Sequence, residues 1–273
     1  MIMRLCFYLL LLFFLVLATA CTEEIDRELL WEEASVMVVE GKLTNETRAH
    51  EVKLSWPLYE INGTPGVVSG AYVDIFDGTK YYPFTEDPLH PGTYLSEASL
   101  AGKVGQTYQL RIAYEDFRIR GACYMREVED FPNMSIYKVQ QDPVLYEAYI
   151  GDQYGPAVIR LELDWSHVSG YESLPPEENH ALIYHYTLGG VDVNHIFSPQ
   201  KEKVRFPAGT IACLEKESVS LAYMEFLRGM LSETDWRGGV FDVQPGNARS
   251  NLKGRAVGYF TAAAVIRDTI IVR

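Results

Sequence analysis

The sequence predicts a mainly β protein: an antiparallel β-sandwich over residues 36–125, then a second antiparallel β-rich domain with one helix over residues 126–273. Three observations predict it. Short runs rich in Val, Ile, Tyr and Phe alternate apolar with polar side chains, which is the period of a half-buried strand. Turn residues separate the runs, at Asp77-Gly78, Pro91-Gly92 and Glu115-Asp116. A helical period occurs in one stretch, residues 217–234.

The elements follow in order. "VMVVEGKL" (36–43) is Val-rich, and "EVKLSW" (51–56) places Val52, Leu54 and Trp56 on one face. "AYVDIF" (71–76) and "TKYYPF" (79–84) flank Asp77-Gly78, the residues of a type I′ hairpin turn. "QTYQLRIAY" (106–114) and "FRIRGACYM" (117–125) are joined by two residues. "AVIRLELDW" (157–165) sets Ile159, Leu161, Leu163 and Trp165 against Arg160, Glu162 and Asp164, a half-buried antiparallel strand. "HALIYHYTL" (180–188) reads as its neighbour. In "ESVSLAYMEFLRGMLSET" (217–234), Leu221, Met224, Phe226, Leu227 and Leu231 recur near the helical period, with Gly229 weakening it. "AVGYFTAAAVIRDTIIVR" (256–273) reads as a strand pair or one bent strand.

The first residues, "MIMRLCFYLLLLFFLVLATA", carry one positive charge, an apolar run and a small-residue end. That is the layout of a secretory leader over 1–20, and the run is short for a membrane-spanning helix. Ala18-Thr19-Ala20 before Cys21 resembles a bacterial lipobox, with Ala18 standing where leucine is usual. The resemblance implies that Cys21 becomes the acylated N-terminus of a tether over 21–35, with palmitate-type chains holding the protein on a membrane. Glu23 and Glu24 resemble the export signal of Bacteroidetes-type surface lipoproteins. The expected location is therefore the outer membrane, facing the cell exterior.

Removal of the leader leaves roughly 250 residues, enough for one large β domain or two smaller ones. Lys and Arg number 24 against 37 Asp and Glu, a formal net charge of −13 that loses one further positive charge with Arg4. Such a surface repels polyanions, so nucleic acid is not an expected partner. Four cysteines reduce to Cys123 and Cys213 beyond the anchor, and the expectation is two separate thiols rather than a disulfide.

No Gly-x-Ser-x-Gly elbow, phosphate-cradling glycine loop or His-Glu-x-x-His helix is present, so no catalytic residue, metal or cofactor is expected. His180, His185 and His195 cluster in sequence with Asp192, but strand alternation sends 180 and 185 to opposite faces. The acids Glu127, Glu129 and Asp130 read as a solvated loop. Among 18 tyrosines, Tyr146, Tyr149 and Tyr154 lie in a polar, Gly-containing stretch and are the candidate ligand contacts, since exposed rings stack on sugars, peptides or other rings.

The segments "VVEGKLTNE", "VSGAYVDIFDG", "PGTYLSE", "GKVGQTYQLRI" and "GNARSNLKGRAVGYFTAAAV" resemble, in that order, the Bacteroidetes lipoproteins grouped as domain of unknown function 4249. The resemblance runs from about Val36 to the C-terminus. It implies an N-terminal Ig-like or transthyretin-like sandwich and work beside TonB-dependent outer-membrane transporters, and it supplies no catalytic residues. Asp268-Thr269-Ile270 resembles a short O-glycosylation motif of these bacteria, expected to be unused because its strand is apolar. The function expected is non-enzymatic ligand capture or service as a transporter's accessory. The alternatives are a structural or adhesive envelope module and a hydrolase with an unrecognised acidic site.

Overall fold

The computed structural model describes residues 36–58, 63–131, 134–151, 155–188, 203–233 and 248–273. The leader, the tether with Cys21, Glu23 and Glu24, and also Tyr154, Asp192 and His195, lie outside the described residues. In chain order the elements are β1 (Met37–Thr44), β2 (Glu51–Ser55), β3 (Tyr72–Phe76), β4 (Tyr81–Glu86), β5 (Thr93–Ser96), β6 (Thr107–Tyr114), β7 (Phe117–Tyr124), β8 (Met134–Gln141), β9 (Val144–Ile150) and β10 (Ala157–Asp164). Then come the single-turn α1 (Pro176–Asn179), β11 (His180–Thr187), β12 (Phe206–Pro207), β13 (Ile211–Ser218), α2 (Leu221–Glu233), β14 (Leu252–Lys253), β15 (Ala256–Ala263) and β16 (Val265–Ile271). The protein is mainly β, as its alternation predicts.

The hairpin between β3 and β4 pairs Phe76 with Tyr81, and Asp77 N–H donates to the Lys80 carbonyl. Gly78 and Thr79 are thus the turn centres, and of the two only Gly78 has positive φ, +95°. That is a type II′ pattern, one residue along from the type I′ turn expected from Asp-Gly. Asp77 flanks the turn instead. Its Oδ1 accepts from Thr79 N–H and Lys80 N–H, and these donors hold the carboxyl well below the usual range despite the opposing effect of burial.

Nine strands form the first sheet, in the order β14-β7-β6-β3-β4-β5-β2-β1-β15. It differs from a sandwich built only of residues 36–125, because β14 and β15 come from the far end of the chain. β15 runs parallel to β1, with Met37 opposite Ala256 and Thr44 opposite Ala263. The sheet curls until β7 and β15 face each other, and Phe260 lies on Gly121, where a Cβ would stand 3.2 Å from the Phe260 Cβ.

The closure depends on Asn251. Its Nδ2 donates to the carbonyls of Ala122 on β7 (2.9 Å) and Phe260 on β15 (2.7 Å). Its Oδ1 accepts from Phe260 N–H at 3.1 Å. One side chain so replaces the ladder that two strands too far apart cannot make. Asn251→Ala is expected to destabilise by about 2 kcal/mol, through backbone groups left without partners. Urea denaturation checks this, and Asn251→Asp should recover part of the loss by keeping the acceptor for Phe260 N–H.

The second sheet has the order β11-β10-β13-β16, and β12, β9 and β8 form a third. Leu161, Leu163, Trp165, Phe206 and Leu214 pack between them. The predicted helix starts four residues late. Glu217 and Ser218 belong to β13, because that strand pairs on both sides, and Ser220 caps α2 by accepting Tyr223 N–H at 3.2 Å. Leu227 and Leu231 are buried while Leu221 is exposed. At Gly229 a Cβ would stand 3.0 Å from the Ala248 Cα, so the glycine that weakens the helix also admits a close neighbour.

The C-terminal stretch is one bent strand shared by two sheets. β15 ends the first sheet, and β16 pairs with β13 in the second. At the bend, Ala264 N–H donates to Ser218 Oγ (2.9 Å), and the hydroxyl donates to the Arg126 carbonyl (2.8 Å). Asn45 Oδ1 accepts from Val265 N–H at 2.7 Å. Thr269 is exposed on this outer strand, so the expectation that burial bars a sugar there does not hold.

The core of the first sheet contains Val39, Leu54, Ile75, Leu110, Ile119 and Phe260. Cys123 is buried in it, Cys213 is exposed on β13, and both are free thiols. His50 is fully buried. Its Nδ1 accepts from Thr44 N–H (3.4 Å) and its Nε2 lies 3.1 Å from the Leu100 carbonyl, so the neutral Nε2–H tautomer fits.

Burial lowers the His50 pKa below its usual 6.5. The unfolded chain therefore binds the proton more readily. Stability is fully present above pH 6.5 and falls as pH drops below it toward the folded value, by at most about 1.4 kcal/mol per pH unit for one group. Melting curves between pH 7.5 and about 5 should show this slope, and His50→Gln should flatten it while lowering neutral-pH stability by about 1–3 kcal/mol.

Candidate functional site

Strand alternation builds a charged wall. On β10 the side chains of Ile159, Leu161 and Leu163 enter the core, so Val158 and Arg160 face the other way. Pairing then lines up Tyr184 on β11, Arg160 on β10, Glu215 on β13 and Arg267 on β16 as one row across the second sheet. A neighbouring row places Tyr186, Val158 and Glu217 side by side. From the first sheet, Lys42 on β1 and Arg48 after it face the same space, and α2 supplies Tyr223, Leu227 and Met230.

These residues line an open cavity of about 450 Å³. A second cavity of about 500 Å³ continues along the outer face of β1, β2 and β15, past Lys53, Phe226 and Tyr259, and shares Lys42, Arg48, Tyr223 and Met230 with the first. Either volume suits a small organic ligand. Tyr184 and Tyr186 form a ridge on one wall, ring centroids 6.2 Å apart and planes at 17°. Tyr223, Phe226 and Tyr259 make a second aromatic cluster, with Tyr259 4.8 Å from each of the other two.

Charges cross the cleft in pairs. Lys42 Nζ binds the buried Glu217 carboxylate. Arg267 grips Glu46 with two nitrogens (2.7 and 3.2 Å) and reaches Glu215 at 2.5 Å. Arg160 donates to Glu162 at 2.9 Å and lies 3.9 Å from Glu215. Arg48 has the loosest pairing, with Nε 3.7 Å from Glu46 and a side chain half exposed.

Burial pushes the Glu217 pKa up, and the neighbouring Glu215 adds to the rise while Lys42 opposes it. Arg267 holds the Glu46 carboxyl below the usual range. Burial also raises the Tyr223 hydroxyl, and pushes Tyr259 up to about 12.

Of the tyrosines singled out from the sequence, Tyr146 and Tyr149 do not line this cleft, and Tyr154 lies outside the described residues. Tyr146 sits on β9, half-buried against the core between the second and third sheets, with Lys138 Nζ 5.9 Å from its ring centroid. Tyr149 is exposed three positions on. His180 pairs with Asp164 at 3.1 Å and contacts Asn179 Oδ1. Among the described residues no three His, Cys, Asp or Glu side chains are grouped to hold a metal. Beside the acidic loop the buried Lys216 donates from Nζ to the Asp130 main-chain carbonyl at 2.7 Å. Lys42, Arg48, Glu215, Glu217, Tyr184 and Tyr223 were not legible as a site. Only the outward face of Arg160 was, from the alternation of its strand.

The curled sheet, the strand shared between two sheets and the aromatic, charged cleft define a β-sandwich protein with a ligand-sized opening. The chain belongs to the family described as Domain of unknown function (DUF4249), which it matches over residues 22–269. No curated protein matches it. Among solved structures it is similar to the crystal structure of chicken CNTN1 FN1-FN3 domains, at 10% identity and a TM-score of 0.28, over 68% of this chain and 61% of that one. The chain thus spans less than two thirds of that structure's length.

Proposed function

We propose that this protein is a surface-exposed outer-membrane lipoprotein that captures a small ligand and serves as a non-enzymatic accessory of a TonB-dependent transporter. The observation that carries the capture reading is the open cavity of about 450 Å³ lined by Tyr184, Tyr186, Arg48 and Arg160. Location rests on the lipobox-like residues before Cys21 and on Glu23 and Glu24. Two acyl chains or more at Cys21 would hold the protein on the membrane, where one chain binds only marginally.

Metabolic labelling with a fatty-acid analogue tests the anchor. The unaltered protein should incorporate label and Cys21→Ala should not. Affinity capture from solubilised outer membranes should recover a TonB-dependent transporter, and repeated capture without one would overturn the accessory role. Loss of cell attachment on deletion, with growth on nutrients intact, would point instead to an adhesive module.

One observation favours a second reading. Glu215 and Glu217 are adjacent acids in a cleft, with pKa raised at the buried Glu217. Raised carboxyls in pockets serve hydrolases as general acids. Both acids are engaged by cations, Glu217 by Lys42 and Glu215 by Arg267, which favours a binding wall over free acid–base groups. Hydrolysis of chromogenic glycosides that is lost in Glu217→Gln would reverse that order.

A further inference from the structure

We propose that the cleft takes a small carboxylate whose charged group lies beside a flat ring face, the carboxylate meeting Arg48 and Arg160 and the ring lying on the exposed Tyr184. This rests on the capture reading and names its ligand class.

The argument begins with where the positive charge sits. The chain carries a net charge of −13, yet four cations, Lys42, Arg48, Arg160 and Arg267, line one cavity. Glu46, Glu162, Glu215 and Glu217 offset them, but unevenly. Arg267 is saturated by two carboxylates, and Lys42 is committed to Glu217. Among the described residues the Arg48 side chain pairs only with Glu46, at 3.7 Å, beyond hydrogen-bond distance. Arg160 makes one close contact, to Glu162, and its distance to Glu215 is 3.9 Å. These two guanidinium groups keep donors to offer, and their planar forks match a carboxylate.

The number of anionic groups follows from the surroundings. Glu46, Glu215 and Glu217 stand next to the arginines, and the chain carries a net charge of −13. A polyanion would be repelled beyond its first contact. One carboxylate fits, because it can take up the open donors of Arg48 and Arg160 while adding a single charge to those of the acids beside them.

The ring follows from the tyrosines. Tyr184 is exposed and nearly parallel to Tyr186, and the row across the sheet places Tyr184 directly beside Arg160. An aromatic face beside a guanidinium suits a ligand that is apolar on one face and charged at one edge. A uronic-acid sugar and an aromatic carboxylate both carry this chemistry.

Titration calorimetry on the mature chain tests it, with a uronate disaccharide, benzoate and a neutral disaccharide as probes. At least one carboxylate should bind, and the neutral sugar should bind about tenfold more weakly or worse. The probe that binds identifies the source: uronate alone means an acidic sugar, benzoate an aromatic acid. Arg48→Gln and Tyr184→Ala, both at exposed positions, should each weaken binding about tenfold with melting temperature unchanged, and Arg48→Lys should weaken it less. Absence of carboxylate binding at about 10 mM, equal binding of the neutral sugar, or full affinity in both variants would overturn the proposal. Transporter capture with the unaltered protein is measured in parallel. Capture without carboxylate binding overturns only the ligand class, whereas failed capture counts against the accessory role.

Discussion

Gly258→Ala is expected to be the most damaging glycine-to-alanine change among the described residues, lowering stability by about 4 kcal/mol or more. Gly258 has φ of +97°, where an L side chain is strained, and a Cβ there would stand 2.1 Å from the Val39 carbonyl oxygen. That oxygen is backbone of β1 and cannot rotate away. Relief requires β15 to move off β1, which disturbs the parallel pairing along the strand. Gly70→Ala is the matched control: φ is +80° and nothing lies within 4 Å of the new atom. It should cost only about 1–2 kcal/mol, the conformational part. Urea denaturation of the two variants separates strain from collision. Equal midpoints would show that β15 is not held tightly against β1.

Asp74→Ala should cost about 3 kcal/mol. Asp74 is fully buried on β3, and Arg111 on β6 donates to both of its oxygens, at 2.7 and 2.5 Å. Asp74 in turn raises the pKa of the Arg111 guanidinium, which also lies 4.0 Å from the Tyr81 ring centroid. Removing the carboxylate leaves a cation among aromatic rings without its partner. About a third of the Arg111 side chain is exposed, so water recovers part of the loss and the cost stays at the low end for a broken buried pair. Asp74→Ala with Arg111→Leu should be more stable than Asp74→Ala alone. A double variant no better than the single one would mean that the unpaired arginine is not the source of the damage.

The strands were readable wherever one face is buried and the other wet, as in β10 with Ile159, Leu161 and Leu163 inward. The β8–β9 hairpin was not, because its strands are mostly half-exposed and show no clean apolar period. Glu217 and Ser218 read as helix by sequence, but pairing on both sides of β13 outweighs local preference. The Asp77-Gly78 turn was located correctly but one residue out of register, since its neighbours fix the pairing. The cleft was hidden for a stronger reason. The row Tyr184, Arg160, Glu215, Arg267 exists only once four strands take their register, and one residue of slip would send any of these side chains to the opposite face.

The partnership of β1 with β15 sets the order in which the protein can be finished. The two ends of this seam are distant in the chain: the clamp from Asn45 to Val265 spans 220 residues. A nascent chain delivers β1 first and leaves its free edge bare until residues 256–263 have been made. Bringing such distant segments together is slow, since the chain must give up freedom before any contact rewards it. No product interrupted before residue 256 can close the first sheet, and each would present β1 as an open template for aggregation. Closure of the first sheet is thereby tied to synthesis of residues 256–263, and a chain terminated before them is marked by its own exposed strand.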